Sequence, residues 1–127
     1  MAGKIDISLL DATPEKHEFE TAKYFAELGK DITFLKPSRI PDMHTPDILM
    51  DGIEWEIKSP TGGSKRTIET NFRKAVKQSH YIIFDLRRVK VTEKLCLSQL
   101  EKEFSVRPYV KRLLVIKKNG EFTEYKK

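Results

Sequence analysis

Two short apolar runs separated only by Asp51-Gly52 constrain this 127-residue chain more than any other feature. An Asp-Gly pair accepts positive φ at both central positions of a two-residue turn, so the flanking segments must fold back as an antiparallel hairpin. The first segment is Asp47-Ile48-Leu49-Met50 and the second Ile53-Glu54-Trp55-Glu56-Ile57-Lys58. Along the second, Ile53, Trp55 and Ile57 share one face while Glu54, Glu56 and Lys58 share the other. The hairpin therefore predicts one apolar surface for a core and one face that sets acid beside base.

The remaining elements build a sheet around it. Thr13-Pro14-Glu15 reads as an N-cap, a first-position proline and a first-turn acid, and Gly29 as the stop of the same helix. Between them Phe19, Ala22, Phe25 and Ala26 recur at helical spacing. Ile32 to Leu35 is a short strand, and Pro37, Pro41 and Pro46 frame a loop over Ser38 to Thr45. Ser59 to Ser64 is a second loop. Thr67 to Ser79 reads as a helix with Ile68, Phe72, Ala75, Val76 and Ser79 on one face. Tyr81 to Leu86 is a near-continuous apolar run, the pattern of a strand covered on both faces. Thr92 to Phe104 reads as a third helix with Leu95, Leu100 and Phe104 inward. A second hairpin closes the chain, Arg112 to Lys118, the turn Asn119-Gly120, then Glu121 to Tyr125. The order is helix, three strands, helix, strand, helix, two strands. It predicts one α/β domain, a mixed central sheet flanked by helices, with a core over about 13–90 and a C-terminal helix and hairpin over 91–127.

Composition narrows the class of function. No apolar run exceeds five residues, so no segment is long enough to span a bilayer, and the N-terminus lacks the apolar stretch of a signal peptide. The single Cys96 excludes a disulfide framework and a cysteine zinc site, which suits a reducing, cytoplasmic compartment. The net charge is +5, unevenly spread. Between Lys58 and Lys90 nine cations face only Glu69 and Asp85, and the rest of the chain is slightly acidic. That asymmetry points to a polyanionic partner, or else to a solvated basic helix face; nothing in it points to a membrane.

Three residues meet at the end of the central hairpin. Asp47 opens one strand, and Glu56 and Lys58 lie two apart on the next. Asp47 and Glu56 supply oxygen ligands for a divalent cation, and the Ile57 carbonyl is a natural third. Lys58 is placed to orient or deprotonate an attacking water, or to stabilise charge on a phosphate. The competing reading is an exposed Glu56–Lys58 ion pair, worth at most about 1 kcal/mol. Ser59 and Thr61 could touch a phosphate, with Gly62-Gly63 letting the loop approach a backbone. His17 and His44 are alternative general bases, His80 reads as a structural cap, and Trp55 and Cys96 read as core.

Pro46-Asp47, eight residues, then Glu56-Ile57-Lys58 resembles the PD-(D/E)XK signature of restriction-endonuclease-like nucleases. The core of that superfamily runs helix, three strands, helix, strand, the order read here from Glu15 to Leu86. The resemblance implies a further glutamate on the first helix, matched by Glu18, and a helical glutamine after the lysine, matched by Gln78. The wording from Thr45-Pro46-Asp47 through Trp55-Glu56-Ile57-Lys58-Ser59-Pro60 to Gln78-Ser79 resembles C-terminal toxin domains of bacterial contact-dependent growth-inhibition proteins, especially the transfer-RNA-cleaving branch. It covers roughly Glu15 to Arg88. The resemblance implies a metal-dependent nuclease with Asp47, Glu56 and Ile57 around Mg²⁺ (or Mn²⁺ or Zn²⁺), and Lys58 and Glu18 completing the catalytic set. Ser59, Thr61, Lys65, Arg66, Arg73, Lys74, Lys77 and Gln78 would then hold the nucleic acid. It further implies RNA as preferred substrate, action in the target-cell cytoplasm, and a cognate immunity protein. An excised domain and a free-standing homologue fit it equally. DNA cleavage, a non-catalytic nucleic-acid-binding domain, and a metal-independent ribonuclease working through His17 or His44 are the alternatives.

Overall fold

A computed structural model of the chain describes residues 2–41 and 43–127. Met1, heading the segment read as lacking a signal sequence, and Asp42, within the Ser38 to Thr45 loop, lie outside the described residues. Ten elements follow in chain order: β1 (Ile5–Asp6), α1 (Lys16–Glu27), β2 (Ile32–Phe34), β3 (Ile48–Met50), β4 (Ile53–Lys58), α2 (Thr67–Ala75), β5 (Tyr81–Asp85), α3 (Glu93–Ser105), β6 (Arg112–Ile116) and β7 (Phe122–Lys126). The expected α/β class and element order hold, with the two-residue β1 added in front.

The seven strands form one mixed sheet in sequence order. β2, β3 and β4 run antiparallel, β4, β5 and β6 parallel, β1 lies parallel to β2, and β7 antiparallel to β6. One face packs against α1 through Ala22, Phe25, Phe34, Trp55, Ile57 and Ile83. The other packs against α2 and α3 through Ile68, Phe72, Phe84, Leu100, Leu113 and Val115. Alternation along β5 serves both, Ile83 one way and Ile82 and Phe84 the other, which is why that run reads as continuously apolar. No helix among the described residues is long and apolar enough to cross a membrane.

The central turn is the two-residue type expected. Met50 pairs with Ile53, and Asp51 and Gly52 have φ of 56° and 74°. The C-terminal hairpin differs. Ile116 pairs with Phe122 and the Lys117 amide donates to the Glu121 carbonyl, leaving Lys118, Asn119 and Gly120 as a three-residue loop. Only Gly120 there has positive φ, so this is a turn followed by a left-handed glycine rather than an Asn-Gly two-residue turn.

Helix ends also move. α1 is capped by the extended Glu15 without a side-chain bond, so Thr13 and Pro14 precede the helix instead of opening it. Its other end is as expected: Gly29 at φ 93° donates to Ala26, and Lys30 donates to Phe25. α2 stops at Ala75, four residues early, because Lys77 and Gln78 turn back onto Lys74 and Ala75 and the Ser79 hydroxyl donates to the Glu54 carbonyl. Gln78 is thus in a turn, not on a helix. In α3 the inward set is Cys96, Leu100, Glu103 and Phe104, and Leu95 points to solvent.

Candidate active site

β4 changes partner midway. Ile53, Glu54 and Trp55 pair with β3, whereas Glu56, Ile57 and Lys58 pair with β5. The sheet forks where the hairpin ladder ends, and Asp47 sits in the fork. Its amide donates to the Trp55 carbonyl at 2.9 Å, and its side-chain Oδ2 accepts the Ile57 amide at 2.8 Å. The carboxylate thereby takes the place that a longer β3 backbone would have filled. Within a strand a residue's N–H and C=O face the same side, so the Ile57 carbonyl opens onto the fork as well.

Asp47, Glu56 and Lys58 come together on the face opposite Trp55 and Ile57. Lys58 Nζ lies 3.3 Å from Glu56 Oε2. Glu56 is 5% exposed, so the competing picture of a solvent-exposed ion pair does not hold. Its other oxygen, Oε1, is buried without a hydrogen-bond donor. Burial, then the Asp47 charge, push the Glu56 carboxyl up to about 8. Burial likewise raises Asp47, against the opposing pull of the Ile57 amide and Lys58. Glu18, on the first turn of α1, is raised to about 7 by burial and by the Asp47 and Glu15 charges. Three carboxyl groups are thus held in one place at the expense of their ionised forms.

An orphaned carboxylate oxygen facing a second carboxylate calls for a proton or a cation between them. The donor set fits a hard divalent ion: carboxylate oxygens of Asp47 and Glu56 beside a strand carbonyl. A second donor group, which sequence reading did not assemble, lies on α1. Glu15, His17 and Glu18 bring ligand atoms within 4.8 Å of one another, with His17 Nε2 3.3 Å from Glu15.

The candidate nucleic-acid residues divide. Ser59, Thr61 and Arg66 line one shallow cleft at the start of α2, with Gly62 packed so closely on Thr67 that a Cβ would sit 2.7 Å from its hydroxyl. Arg66 and Arg73 both reach Glu69, at 3.8 and 2.6 Å, while Lys65 and Lys74 are exposed. Lys77 and Gln78 line a separate cleft with His44, Pro46, Glu54 and His80, at the far end of α2. His80 is exposed, its ring 5.5 Å from Tyr109, and its carbonyl accepts the Lys111 amide at 2.9 Å just before β5. Trp55 and Cys96 are fully buried. Sequence reading passed over Arg87 and Arg88 as site residues. Because β4 and β5 are parallel, their C-terminal ends are neighbours, and the pair emerges beside Ser59. The signal was the basic pair at the end of a buried strand.

Residues 44–122 match the family described as "Contact-dependent growth inhibition CdiA C-terminal domain". Among solved structures, a CdiA-CT/CdiI toxin and immunity complex from Burkholderia pseudomallei is similar, with a TM-score of 0.71 at 20% identity, covering 98% of this chain and 100% of that one. At that identity the likeness speaks for the fold. No curated protein matches the chain.

Proposed function

The chain belongs to the contact-dependent growth inhibition CdiA C-terminal domain family, and on that premise we propose that it is a toxin domain hydrolysing phosphodiester bonds of nucleic acid. The observation that carries this reading is the buried Glu56 Oε1, without a donor, in a fork shared with Asp47 and Lys58. In this reading Asp47, Glu56 and the Ile57 carbonyl hold a divalent ion, Mg²⁺ by the hardness of the donors, with Mn²⁺ or Zn²⁺ as substitutes. When bound, the ion supplies Lewis-acid polarisation of the scissile phosphate and lowers the pKa of a water.

The chain's own groups do the rest. Glu56 fixes the Lys58 ammonium by a 3.3 Å contact, which aims its positive charge into the fork where charge develops on the phosphoryl oxygens. Asp47 is oriented by the Ile57 amide, a backbone group of the strand that carries Glu56 and Lys58. Glu18, poised near neutrality, is suited to accept a proton from water. The PD-(D/E)XK resemblance of Asp47, Glu56 and Lys58 and the basic middle third of the chain support the same reading.

RNA, transfer RNA first, is the preferred substrate on the strength of the sequence resemblance, and the cytoplasm of a target cell is the site of action. The similar solved structure holds a toxin with its immunity protein, and a cognate immunity protein is the partner proposed here. The test is incubation of purified protein with total RNA and with plasmid DNA, in Mg²⁺, Mn²⁺ or Zn²⁺ and in EDTA. Metal-dependent cleavage that Lys58→Ala abolishes is the expected result. Binding without cleavage in every metal would mark a non-catalytic domain, and cleavage persisting in EDTA would overturn the metal assignment.

A further inference from the structure

Beside the fork lies a cavity of about 390 Å³ whose walls include Lys16, Glu20, Ser59, Asp85, Arg87 and Arg88. Its charges are not equally available. Arg87 is committed: it grips Asp85 through Nε and Nη2 at 3.0 and 2.8 Å, bonds the Glu20 carbonyl and lies over the Tyr24 ring. Asp85, also bonded by Thr21 at 2.7 Å, is neutralised by that grip. Arg88 differs. Its Nε donates to Ser59 Oγ at 3.0 Å and its Nη2 to the Ser59 carbonyl, so the guanidinium plane is fixed by the residue that follows Lys58. Its Nη1 has no partner among the described residues, and neither does the Lys16 ammonium.

We propose that this cavity binds a backbone phosphate adjacent to the one hydrolysed, through Arg88 and Lys16. The inference rests on the nuclease reading above and adds its two binding residues. An immobilised guanidinium edge recognises two phosphate oxygens with little loss of rotamer freedom, and a nearby lysine adds charge without geometry. The neighbouring cleft on the other side of α1 could not do this. It presents Asp11, Glu15, Glu18 and Asp47 against Lys36 and Arg39, and both of those cations already lie within 3.4 Å of Asp11. The carboxylates of that cleft include Asp47 and Glu18, which the nuclease reading assigns to the ion and the attacking water. Beside Ser59 the free cations Arg88 and Lys16 face, among the described residues, the single unpaired carboxylate of Glu20, so a flanking phosphate is placed on the Arg88 side.

The experiment measures binding of a short fluorescein-labelled single-stranded RNA, in EDTA and in the Lys58→Ala background, as a function of salt. Arg88→Ala should weaken binding roughly tenfold and reduce the slope of log K against log salt by about 0.7, one phosphate contact. Lys16→Ala should reduce the slope similarly, whereas Arg88→Lys should restore it. Ser59→Ala, which removes the Nε partner but leaves the backbone carbonyl holding Nη2 and keeps the Arg88 charge, should change the slope less than Arg88→Ala, and Lys94→Ala on α3 should leave it unchanged. With Lys58 intact, Arg88→Ala should raise KM and spare kcat. Unchanged slopes in both Arg88→Ala and Lys16→Ala, with the RNA still bound, would overturn the phosphate site and leave the nuclease reading standing. A wild-type protein that neither binds nor cuts RNA or DNA would overturn that reading itself.

Discussion

The Asp47 carboxylate accepts the Ile57 amide at 2.8 Å, two residues beyond Trp55, where the ladder between β3 and β4 stops. A candidate metal-binding side chain is thereby locked to the backbone of the strand that carries Glu56 and Lys58. Movement of β4 carries all three together. By the hairpin register a continued ladder would set Pro46 opposite Ile57, so the carboxylate takes the Ile57 amide that a β3 two residues longer would satisfy with backbone.

Removing either carboxylate separates chemistry from folding. Asp47→Ala and Glu56→Ala should each lower the cleavage rate at least about a hundredfold. Asp47→Ala should in addition lose on the order of 1 kcal/mol of stability, since the Ile57 amide is left without its acceptor. Glu18→Ala should have the smaller kinetic effect, roughly tenfold. Cleavage rates beside urea unfolding of the three variants check this, and normal rates in both Asp47→Ala and Glu56→Ala would remove the site from the fork.

The same carboxyl groups set how stability depends on pH. Glu56 is raised from 4.5 to about 8 and Glu18 from 4.5 to about 7, and Asp47 is raised as well. Between the unfolded and folded values the unfolded chain holds fewer protons, so stability falls as pH rises. Asp85 has the opposite sign: Arg87 and Thr21 outweigh its burial and hold it low, so its contribution is lost only in acid. In EDTA the melting temperature should therefore decline from about pH 4.5 to pH 8. Glu56→Gln should flatten that decline, gaining on the order of 2 kcal/mol at the alkaline end. Mg²⁺ should raise the wild-type curve most where it is lowest. A melting temperature that is flat or rising over this range would contradict the buried, crowded fork.

Much of this was legible because it is local. Asp51-Gly52 dictates its own turn, and Trp55 and Ile57 must share a face once the strand exists, so Glu56 and Lys58 follow. What escaped was decided between elements distant in sequence. Arg88 meets Ser59 only because β4 and β5 are parallel neighbours, a pairing that no local pattern encodes. Gln78 fell off its helix because Ser79 found the Glu54 carbonyl across the sheet. Leu95 faces solvent while Cys96 is core as expected, since the helical phase of α3 is weakly marked, with polar residues on both sides. Lys65, Arg66, Arg73, Lys74, Lys77 and Gln78 were grouped by proximity in sequence, yet Arg66 lines a cleft at the start of α2, Lys77 and Gln78 line another at its far end, and Lys65, Arg73 and Lys74 line neither.

The Asp85–Arg87 pair gives a prediction about the end of β5. Asp85 is 2% exposed and holds its charge only through Arg87 and Thr21. Arg87→Ala leaves that carboxylate buried and uncompensated and should destabilise by about 3–5 kcal/mol at neutral pH. The loss should shrink as the pH drops and Asp85 takes up a proton. Combining it with Asp85→Leu should recover most of the stability. Equal melting temperatures for Arg87→Ala and wild type at pH 7 would show that the pair is solvated rather than structural.

The hairpin turn tests whether the fork depends on strand register. Gly52 adopts φ 74° and Asp51 φ 56°. A Cβ added at Gly52 meets nothing within 4 Å, so a substitution there carries no steric clash, only the strain of a left-handed conformation. Gly52→Val should therefore cost about 1–2 kcal/mol if the turn survives. Should the turn relax by shifting one residue, Glu56 and Lys58 would pass to the face now held by Trp55 and Ile57. The fork would then lose its acid and its base together. Either way melting temperature and cleavage should fall jointly, although no site residue has changed. Gly52→Asn, which tolerates positive φ, should keep most of both. A Gly52→Val protein as stable and active as wild type would show that this turn does not set the positions of Asp47 and Glu56.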